Sequence, residues 1–239
     1  MIGVTSFAPK HWDVYARKML ESFSKHWPGE IIAYVDEIPD EDFPKVTYKL
    51  LRKVHGHDQF VSYCLTAGKD RPSKGDSIFT GRFHGGYSYT YDAVRFCHKV
   101  FAQFDAFKNG GKVFWIDADS VALDQITKKF LDGLFDGKCL AIFDRPGFYT
   151  ETGFVGFDTE HPSFKKFLDE YIKVYQKGTL FTLEGWHDCY ALDHAIKLSG
   201  CSYTNLGKEW KKGDKLEVMD DSTVGLYIKH FKGNQKWQS

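Results

Sequence analysis

The chain has no net charge and no long apolar segment. Its 239 residues contain 32 Lys and Arg and 32 Asp and Glu. A protein that binds nucleic acid or an anionic membrane through its overall charge usually carries an excess of Lys and Arg, so we expect no nucleic-acid partner. No apolar run approaches the roughly 18 residues of a membrane-spanning helix, so we expect no membrane span.

The cysteines form neither a disulfide framework nor a recognisable zinc motif. They are odd in number, scattered, and without a C-x-x-C pair: Cys64, Cys97, Cys139, Cys189 and Cys201. This pattern favours free thiols in a reducing compartment. Because the N-terminal segment also lacks the apolar stretch of a signal peptide, we expect a cytoplasmic location.

What the chain does have is ample material for a core. Apolar residues make up 42% and aromatic residues 17% of the sequence, so we expect one large domain spanning residues 1–239. The chain opens with a strand (residues 2–7), an amphipathic helix (residues 12–23) and a second strand (residues 31–35). This strand–helix–strand order predicts an α/β fold, a Rossmann-like, mostly parallel sheet flanked by helices.

The turn after the first strand indicates which nucleotides can bind. It contains Thr5, Ser6 and Phe7 but no G-x-G-x-x-G, which counts against a dinucleotide cofactor. Its polar and aromatic side chains could hold a single nucleoside, although an ordinary turn would have the same composition.

The centre of the chain carries the strongest motif. The apolar stretch 113–116 predicts a strand buried on both faces, and Asp117 and Asp119 follow it directly. Ligands of α/β sheets bind outside the carboxyl ends of the strands. Two carboxylates there can hold Mg²⁺ or Mn²⁺, and the cation can bind a diphosphate. The plain alternative is a strand end with turn-forming acids.

A second motif lies near the C-terminus, where His230 is followed by Gly233 and Lys236. A neutral imidazole could complete an oxygen-rich metal shell. The glycine would allow close approach of backbone to a phosphate, and the lysine would supply a positive charge. Taken alone, a His on a terminal strand is more often structural.

Other candidate residues lie between these motifs. Arg95 and Lys99, on a predicted helix over 89–107, could reach a phosphate, although an exposed helical cation is the commoner case. Asp188 begins a predicted buried helix, and a buried acid needs a partner or a function. The glycine-rich, basic stretch 68–88 is either a flexible segment or a functional lid on the acceptor side.

The two motifs together resemble the nucleotide-sugar-dependent glycosyltransferases of the A fold, closest in pattern to glycosyltransferase family 8 and its relatives. The resemblance extends over most of the chain in element order. It implies a nucleotide-binding half over 1–119 and a sugar and acceptor half over 120–239.

The resemblance also implies roles for the candidate residues. Asp117, Asp119 and His230 would ligate Mn²⁺ or Mg²⁺, which would bridge the diphosphate of a UDP-sugar. The remaining residues would contact the phosphates (Gly233, Lys236), the uracil and ribose (Thr5, Ser6, Phe7) or the sugar (residues 153–157, Asp188).

The expected reaction transfers a sugar from the UDP-sugar donor to a hydroxyl of a glycan or another acceptor. The resemblance favours retention of the anomeric configuration. An inverting enzyme would need a base beside the acceptor, and Glu151 and Asp188 are the candidate catalytic residues.

Two other functions remain open at this point. A haloacid-dehalogenase-type phosphatase would use Asp117 and Asp119 as its nucleophile motif, with Asp220 and Asp221 as the later acid pair. A non-catalytic nucleotide-sugar or glycan-binding module would keep the fold without turnover.

Overall fold

A computed structural model describes residues 1–69, 88–207, 210–211 and 217–231. Within these ranges the chain forms nine strands: β1 (Ile2–Phe7), β2 (Glu30–Val35), β3 (Val46–Leu50), β4 (Lys112–Ile116), β5 (Ser120–Ala122), β6 (Leu140–Phe143), β7 (Glu151–Asp158), β8 (Tyr203–Asn205) and β9 (Ile228–His230). The α-helices of the described residues are α1 (Arg17–His26), α2 (His57–Thr66), α3 (Ala93–Ala106), α4 (Lys128–Gly133), α5 (Phe164–Gln176) and α6 (Asp188–Ser199).

Seven strands form one central sheet in the order β3-β2-β1-β4-β7-β6-β8. The pairs β1–β2, β2–β3, β1–β4 and β6–β8 are parallel, whereas β7 runs antiparallel to both β4 and β6. The predicted α/β class with a mostly parallel sheet is therefore confirmed. Strands β5 and β9 form a separate antiparallel pair.

The strand order reverses between β1 and β4. From β1 the chain adds β2 and β3 on one side, and then β4 on the other. Such a reversal opens a crevice at the carboxyl ends of the two strands, which is where open α/β sheets bind ligands.

Side chains of β4 alternate between two hydrophobic cores, as the prediction of a strand buried on both faces requires. Val113 and Trp115 pack into the core that includes α2, α3, α5 and α6. Phe114 and Ile116 pack into the core with α1 and the segment that leads to β9. Both faces of the sheet are thereby covered with helices or loops.

Three elements are shorter than the sequence predicts, which places helices over 89–107 and 125–134 and a last strand over 224–231. Helix α3 begins at Ala93 because the Asp92 side chain accepts a hydrogen bond from the Arg95 amide (2.9 Å) and caps it. Thr127 caps α4 in the same way. The last strand is short because Val224–Leu226 form a 3₁₀ turn before it.

The segment between β1 and α1 is not a regular α-helix. Pro9–His11 form a 3₁₀ turn and Trp12–Ala16 a π-helical turn, so the α-helix proper begins only at Arg17. Most of the predicted lid, residues 70–87, lies outside the described residues.

Two further expectations can be compared with the structure. All five cysteines are free, as predicted, and the structure buries each of them. None of the helices within the described ranges is long and apolar enough to cross a membrane.

A polar cluster joins β2, β3 and α3. Asp105 accepts hydrogen bonds from Tyr34 (2.9 Å), Lys49 (3.0 Å) and Lys108 (2.8 Å). Partial burial raises the pKa of Asp105, but these hydrogen bonds and the Lys49 charge outweigh it and lower the pKa to about 2. The ionised carboxylate is thus favoured in the folded state.

We predict that Asp105→Asn removes a pH-dependent part of the stability. An Asp side chain in the unfolded chain has a pKa of about 3.9. Asp105 therefore contributes about 1 kcal/mol to the free energy of unfolding above that pH, and the contribution is lost as the pH falls towards the folded-state pKa of about 2. Urea unfolding at pH 5, 4 and 3 should show a difference in the free energy of unfolding between wild type and variant, and this difference should become smaller as the pH falls. Asp169→Asn, in the exposed Lys165–Asp169 pair, is the control and should show a smaller gap; a constant gap for Asp105→Asn would contradict the prediction.

Candidate active site

The short β5–β9 pair brings the two sequence motifs together. The chain turns after β4, where the Ser120 amide donates to the Asp117 carbonyl (3.1 Å). Ser120 then pairs with His230 in the antiparallel register. The Phe231 amide also donates to the Asp119 carbonyl (2.9 Å). Residues separated by more than a hundred positions therefore meet at the carboxyl end of β4.

Asp117, Asp119 and His230 form a compact set of possible metal ligands. The His230 Nε2 atom lies 3.1 Å from Asp119 Oδ1 and 3.7 Å from Asp117 Oδ2. One ligand atom from each of the three side chains lies within 4.8 Å of the others. His230 and Asp119 are buried, while Asp117 is about one-third exposed. The predicted convergence of acids and imidazole is present.

The acid pair controls the protonation of His230. Burial lowers the pKa of His230, but the hydrogen bond with Asp119 and the charges of Asp119 and Asp117 outweigh burial and leave the pKa above its ordinary value. Without a cation, the carboxylates thus favour an imidazolium between them.

A glycine of β7 makes room for this imidazole. A Cβ atom at Gly153 would lie 2.6 Å from His230 Cε1 and 2.7 Å from its Nδ1. The Gly153 carbonyl also accepts a hydrogen bond from the Asp117 amide (2.8 Å). The backbone at this position therefore touches both ends of the ligand set, and a side chain would displace the ring.

Lys99 is the residue whose surroundings differ most from expectation. Its ammonium lies 3.1 Å from Asp117 Oδ1 and 2.8 Å from Asp188 Oδ2, and it donates to the Thr152 carbonyl (2.5 Å). It also lies 5.0 Å from the ring centre of Trp115. The expectation of an exposed helical cation is wrong, because Lys99 is buried and paired with two acids.

Burial would by itself lower the pKa of Lys99. The charges of Asp117 and Asp188, and the hydrogen bonds with both, outweigh burial and raise it above the ordinary value of a lysine. Lys99 is therefore a permanent positive charge within the site. Its predicted contact with a phosphate stays a prediction.

The carboxylate of Asp117 is held so that one oxygen remains available to a cation. Oδ1 accepts hydrogen bonds from Trp115 Nε1 (2.6 Å) and Lys99 (3.1 Å). Oδ2 faces His230. Groups that orient a ligand in this way are typical of metal sites. Two carboxylates and one imidazole suit Mn²⁺ or Mg²⁺ by donor type, so the residues fit the predicted cation.

Glu151 and Arg145 form a second buried ion pair beside this set. Glu151 Oε1 accepts from the Gly153 amide (3.0 Å), and its Oε2 lies 3.7 Å from an Arg145 terminal nitrogen. The Arg145 guanidinium is fully buried beside the rings of Phe148 and Tyr149, 4.9 and 4.8 Å from their centres. Sequence reasoning missed Arg145, since the segment 144–147 has the composition of a turn.

The proposed nucleoside side lies along the end of β1. The β1–β4 register, continued by two residues, places Ser6 beside Asp117. Thr5 is fully buried, and its hydroxyl has no hydrogen-bond partner among the described residues. Phe7 packs on Trp12, with ring centres 5.8 Å apart. These positions agree with the predicted site, but the roles of Thr5, Ser6 and Phe7 stay predictions.

Of the three remaining candidate residues, the structure describes one. Arg95 is exposed on α3, where its guanidinium lies over the Phe96 ring (5.7 Å). Its charge still helps to lower the pKa of His187, to about 4, although burial is the main cause. Gly233 and Lys236 lie outside the described residues.

Tyr15 is a further group at the site that sequence reasoning did not select. Burial raises its pKa, and the charges of Asp119 and Asp117 raise it further. Its ring stacks on His11 with centres 5.0 Å apart. Its spacing places it on the apolar face of the first helix, and its ring does pack against the core beside α1, so the sequence pattern reads as structural.

Comparisons with known proteins give a distant likeness in fold. No protein-family model matches the chain, and no curated protein matches it. Among solved structures, the apo form of the glycosyltransferase GlyE of Streptococcus pneumoniae TIGR4 is 13% identical with a TM-score of 0.47, over 85% of this chain. Mouse xyloside xylosyltransferase 1, also apo, is 14% identical with a TM-score of 0.45, over 83% of this chain.

The chain spans 44% of the length of GlyE and 82% of the length of the mouse enzyme. Both likenesses are too distant to assign an activity or the particular family 8.

We predict that Gly153→Ala weakens Mn²⁺ binding about 10-fold or more, because the added methyl group displaces His230. Gly133→Ala is the matched control, since a Cβ there meets no atom within 4 Å. Mn²⁺ titration followed by electron paramagnetic resonance measures both affinities. Equal affinity in the two variants would show that His230 does not need its present position to hold the cation.

We also predict that Lys99→Met lowers the free energy of unfolding by about 3 kcal/mol, since it leaves two acids without their buried partner. Adding Asp188→Asn should recover part of this loss. Lys108→Met, in an exposed pair, should cost less than about 1 kcal/mol. Urea unfolding measures all four proteins, and a double variant no more stable than Lys99→Met would argue against the ion pair.

Proposed function

We propose that this chain is a metal-dependent glycosyltransferase that moves a sugar from a UDP-sugar to an acceptor hydroxyl with retention of configuration. The observation that carries the proposal is the meeting of Asp117, Asp119 and His230 at the reversal of strand order. A cation site there, beside a nucleoside-sized turn, suits a nucleoside diphosphate. The likeness to other glycosyltransferases in sequence pattern agrees with it.

In this proposal, different residues bind the cation, the nucleoside and the phosphates of the donor. Asp117, Asp119 and His230 would hold Mn²⁺ or Mg²⁺, which would supply charge stabilisation for the departing UDP. Residues 5–7 would contact the uracil and ribose. Gly233 and Lys236 would contact the phosphates, where Lys236 adds positive charge as the bond to the sugar breaks.

The ion pairs favour retention. An inverting transferase needs a carboxylate that is free to take the acceptor proton. Both candidate bases are buried and paired: Asp188 with Lys99 (2.8 Å) and Glu151 with Arg145 (3.7 Å). Such groups suit the orientation and electrostatic stabilisation of the sugar better than proton abstraction. We therefore assign Asp188 and Glu151 to the sugar pocket. In this mechanism the acceptor hydroxyl attacks the sugar from the same face as the leaving group.

The phosphatase alternative has less support from the described residues. Its later acid pair would be Asp220 and Asp221, but the group of metal-ligating atoms at the site comprises only Asp117, Asp119 and His230. Asp220 is instead paired with Lys229, and Asp221 is exposed.

The two functions predict different results for a pair of variants. With Mn²⁺ and a panel of UDP-sugars, we expect UDP release by the wild type, a loss of roughly 100-fold or more in Asp119→Asn, and little change in Asp221→Asn. Release of phosphate from p-nitrophenyl phosphate, lost in both variants, would instead identify a phosphatase.

The same assay separates an enzyme from a binding module. If UDP binds together with Mn²⁺, but no UDP is formed from any UDP-sugar with water or a glycan as acceptor, the protein is a binding module without turnover. Where a product forms, proton NMR of the new anomeric centre tests retention. A product of inverted configuration would refute the assignment of Asp188 and Glu151.

A further inference from the structure

A second cluster of metal-ligating side chains lies outside the candidate active site. His57 is the first residue of α2, and Cys97 and His98 lie within α3. One ligand atom from each of the three lies within 4.8 Å of the others. His57 Nε2 is 2.8 Å from His98 Nδ1, and Cys97 Sγ is 4.0 Å from the same nitrogen.

These distances are close to those of a tetrahedral zinc site. With Zn–N bonds of about 2.0–2.1 Å and a Zn–S bond of about 2.3 Å, neighbouring nitrogens lie about 3.4 Å apart and sulfur lies about 3.6 Å from nitrogen. The two observed separations differ from these values by about half an ångström, in opposite directions. The ligand atoms of His57 and Cys97 lie within 4.8 Å of each other, so side-chain rotations would have to adjust all three groups to reach the coordination geometry.

A neighbouring carboxylate orients the first imidazole. Asp58 Oδ1 lies 2.9 Å from His57 Nδ1. Because an ionised carboxylate can only accept, the proton of His57 is on Nδ1, and the lone pair of Nε2 points at His98. A carboxylate behind a histidine ligand is a recurring feature of zinc sites.

The surroundings suit a soft metal with one open side. His57 and Cys97 are buried, and the His57 ring packs edge-on against Phe101 (5.7 Å between centres). His98 is partly exposed. A thiolate with two imidazoles selects Zn²⁺ over Mg²⁺ or Mn²⁺, which is the opposite preference to that of the candidate active site.

We propose that His57, Cys97 and His98 form a zinc site that links the start of α2 to α3, with the fourth position open to water. Binding Zn²⁺ displaces one proton, from the Cys97 thiol. The His98 proton moves from Nδ1 to Nε2, so both nitrogens that face the ion offer lone pairs. Sequence spacing does not reveal the site, because His57 and His98 are 41 residues apart.

The site would also support the candidate active site. Lys99 follows His98 directly on α3 and reaches Asp117 and Asp188. A metal that fixes this part of α3 to α2 therefore restricts the helix that carries the buried ammonium.

Cobalt spectroscopy of the full chain, first dialysed against EDTA, tests the ligand set. Co²⁺ bound by a thiolate gives a sulfur-to-metal charge-transfer band in the near ultraviolet, which the oxygen-rich site cannot give. We expect the band in the wild type, in Cys64→Ser and in Asp119→Asn, and its loss in Cys97→Ser. No band in the wild type, a band that survives Cys97→Ser, or a band lost in Asp119→Asn would overturn the proposal.

Thermal unfolding with Zn²⁺ gives a second test that does not depend on colour. In the Asp119→Asn background, which removes one ligand of the candidate active site, free Zn²⁺ a hundredfold above its Kd should raise Tm by roughly 5 to 10 °C. His98→Gln in the same background should abolish this shift, and its partial exposure makes the substitution tolerable for folding. An equal shift in the two proteins would exclude His98 as a ligand. Neither test requires transferase activity, so either proposal can fail without the other.

Discussion

The buried ammonium of Lys99 is the interaction on which the rest of the site depends. Carboxylates lose their hydration on burial and need a compensating charge or hydrogen bonds to remain ionised. Lys99 supplies these to Asp117 and Asp188 together, and its third contact fixes the Thr152 carbonyl of β7. One side chain of α3 thereby joins the ends of β4, β7 and α6. The acids are thus held in place before any cation or substrate arrives.

The reversed direction of β7 explains why these groups meet. A parallel strand in this position would bring its carboxyl end to the crevice, and its connection would lead away from Asp117. Because β7 is antiparallel to β4, its first residues lie there instead. Glu151, Thr152 and Gly153 therefore contact Arg145, Lys99 and His230 respectively.

The sequence predicts the parts of the site that local patterns encode. A strand followed by Asp117 and Asp119, and a terminal His230, are visible because residue type and position within an element both indicate chemistry. The burial of Lys99 cannot be predicted from the sequence. Helix α3 buries polar residues such as Lys99 and Gln103 in addition to its apolar face. Arg145 is hidden for a related reason: its partners Tyr149 and Glu151 are near in sequence, but only the path of the turn buries its guanidinium. Helix ends were misjudged where a side-chain cap or a 3₁₀ turn decided them.

Charge balance connects the site with the kind of ligand it can accept. Among the described residues of the site, Asp117, Asp119, Asp188 and Glu151 bring four negative charges, and the cations paired with them are Lys99 and Arg145. With a neutral imidazole the site therefore has an excess of two negative charges, which is the charge that one divalent cation neutralises. The same excess of negative charge raises the pKa of His230, because in the absence of a metal a proton on the imidazole partly neutralises the acids. A diphosphate adds negative charge of its own, so we expect it to bind here together with a cation.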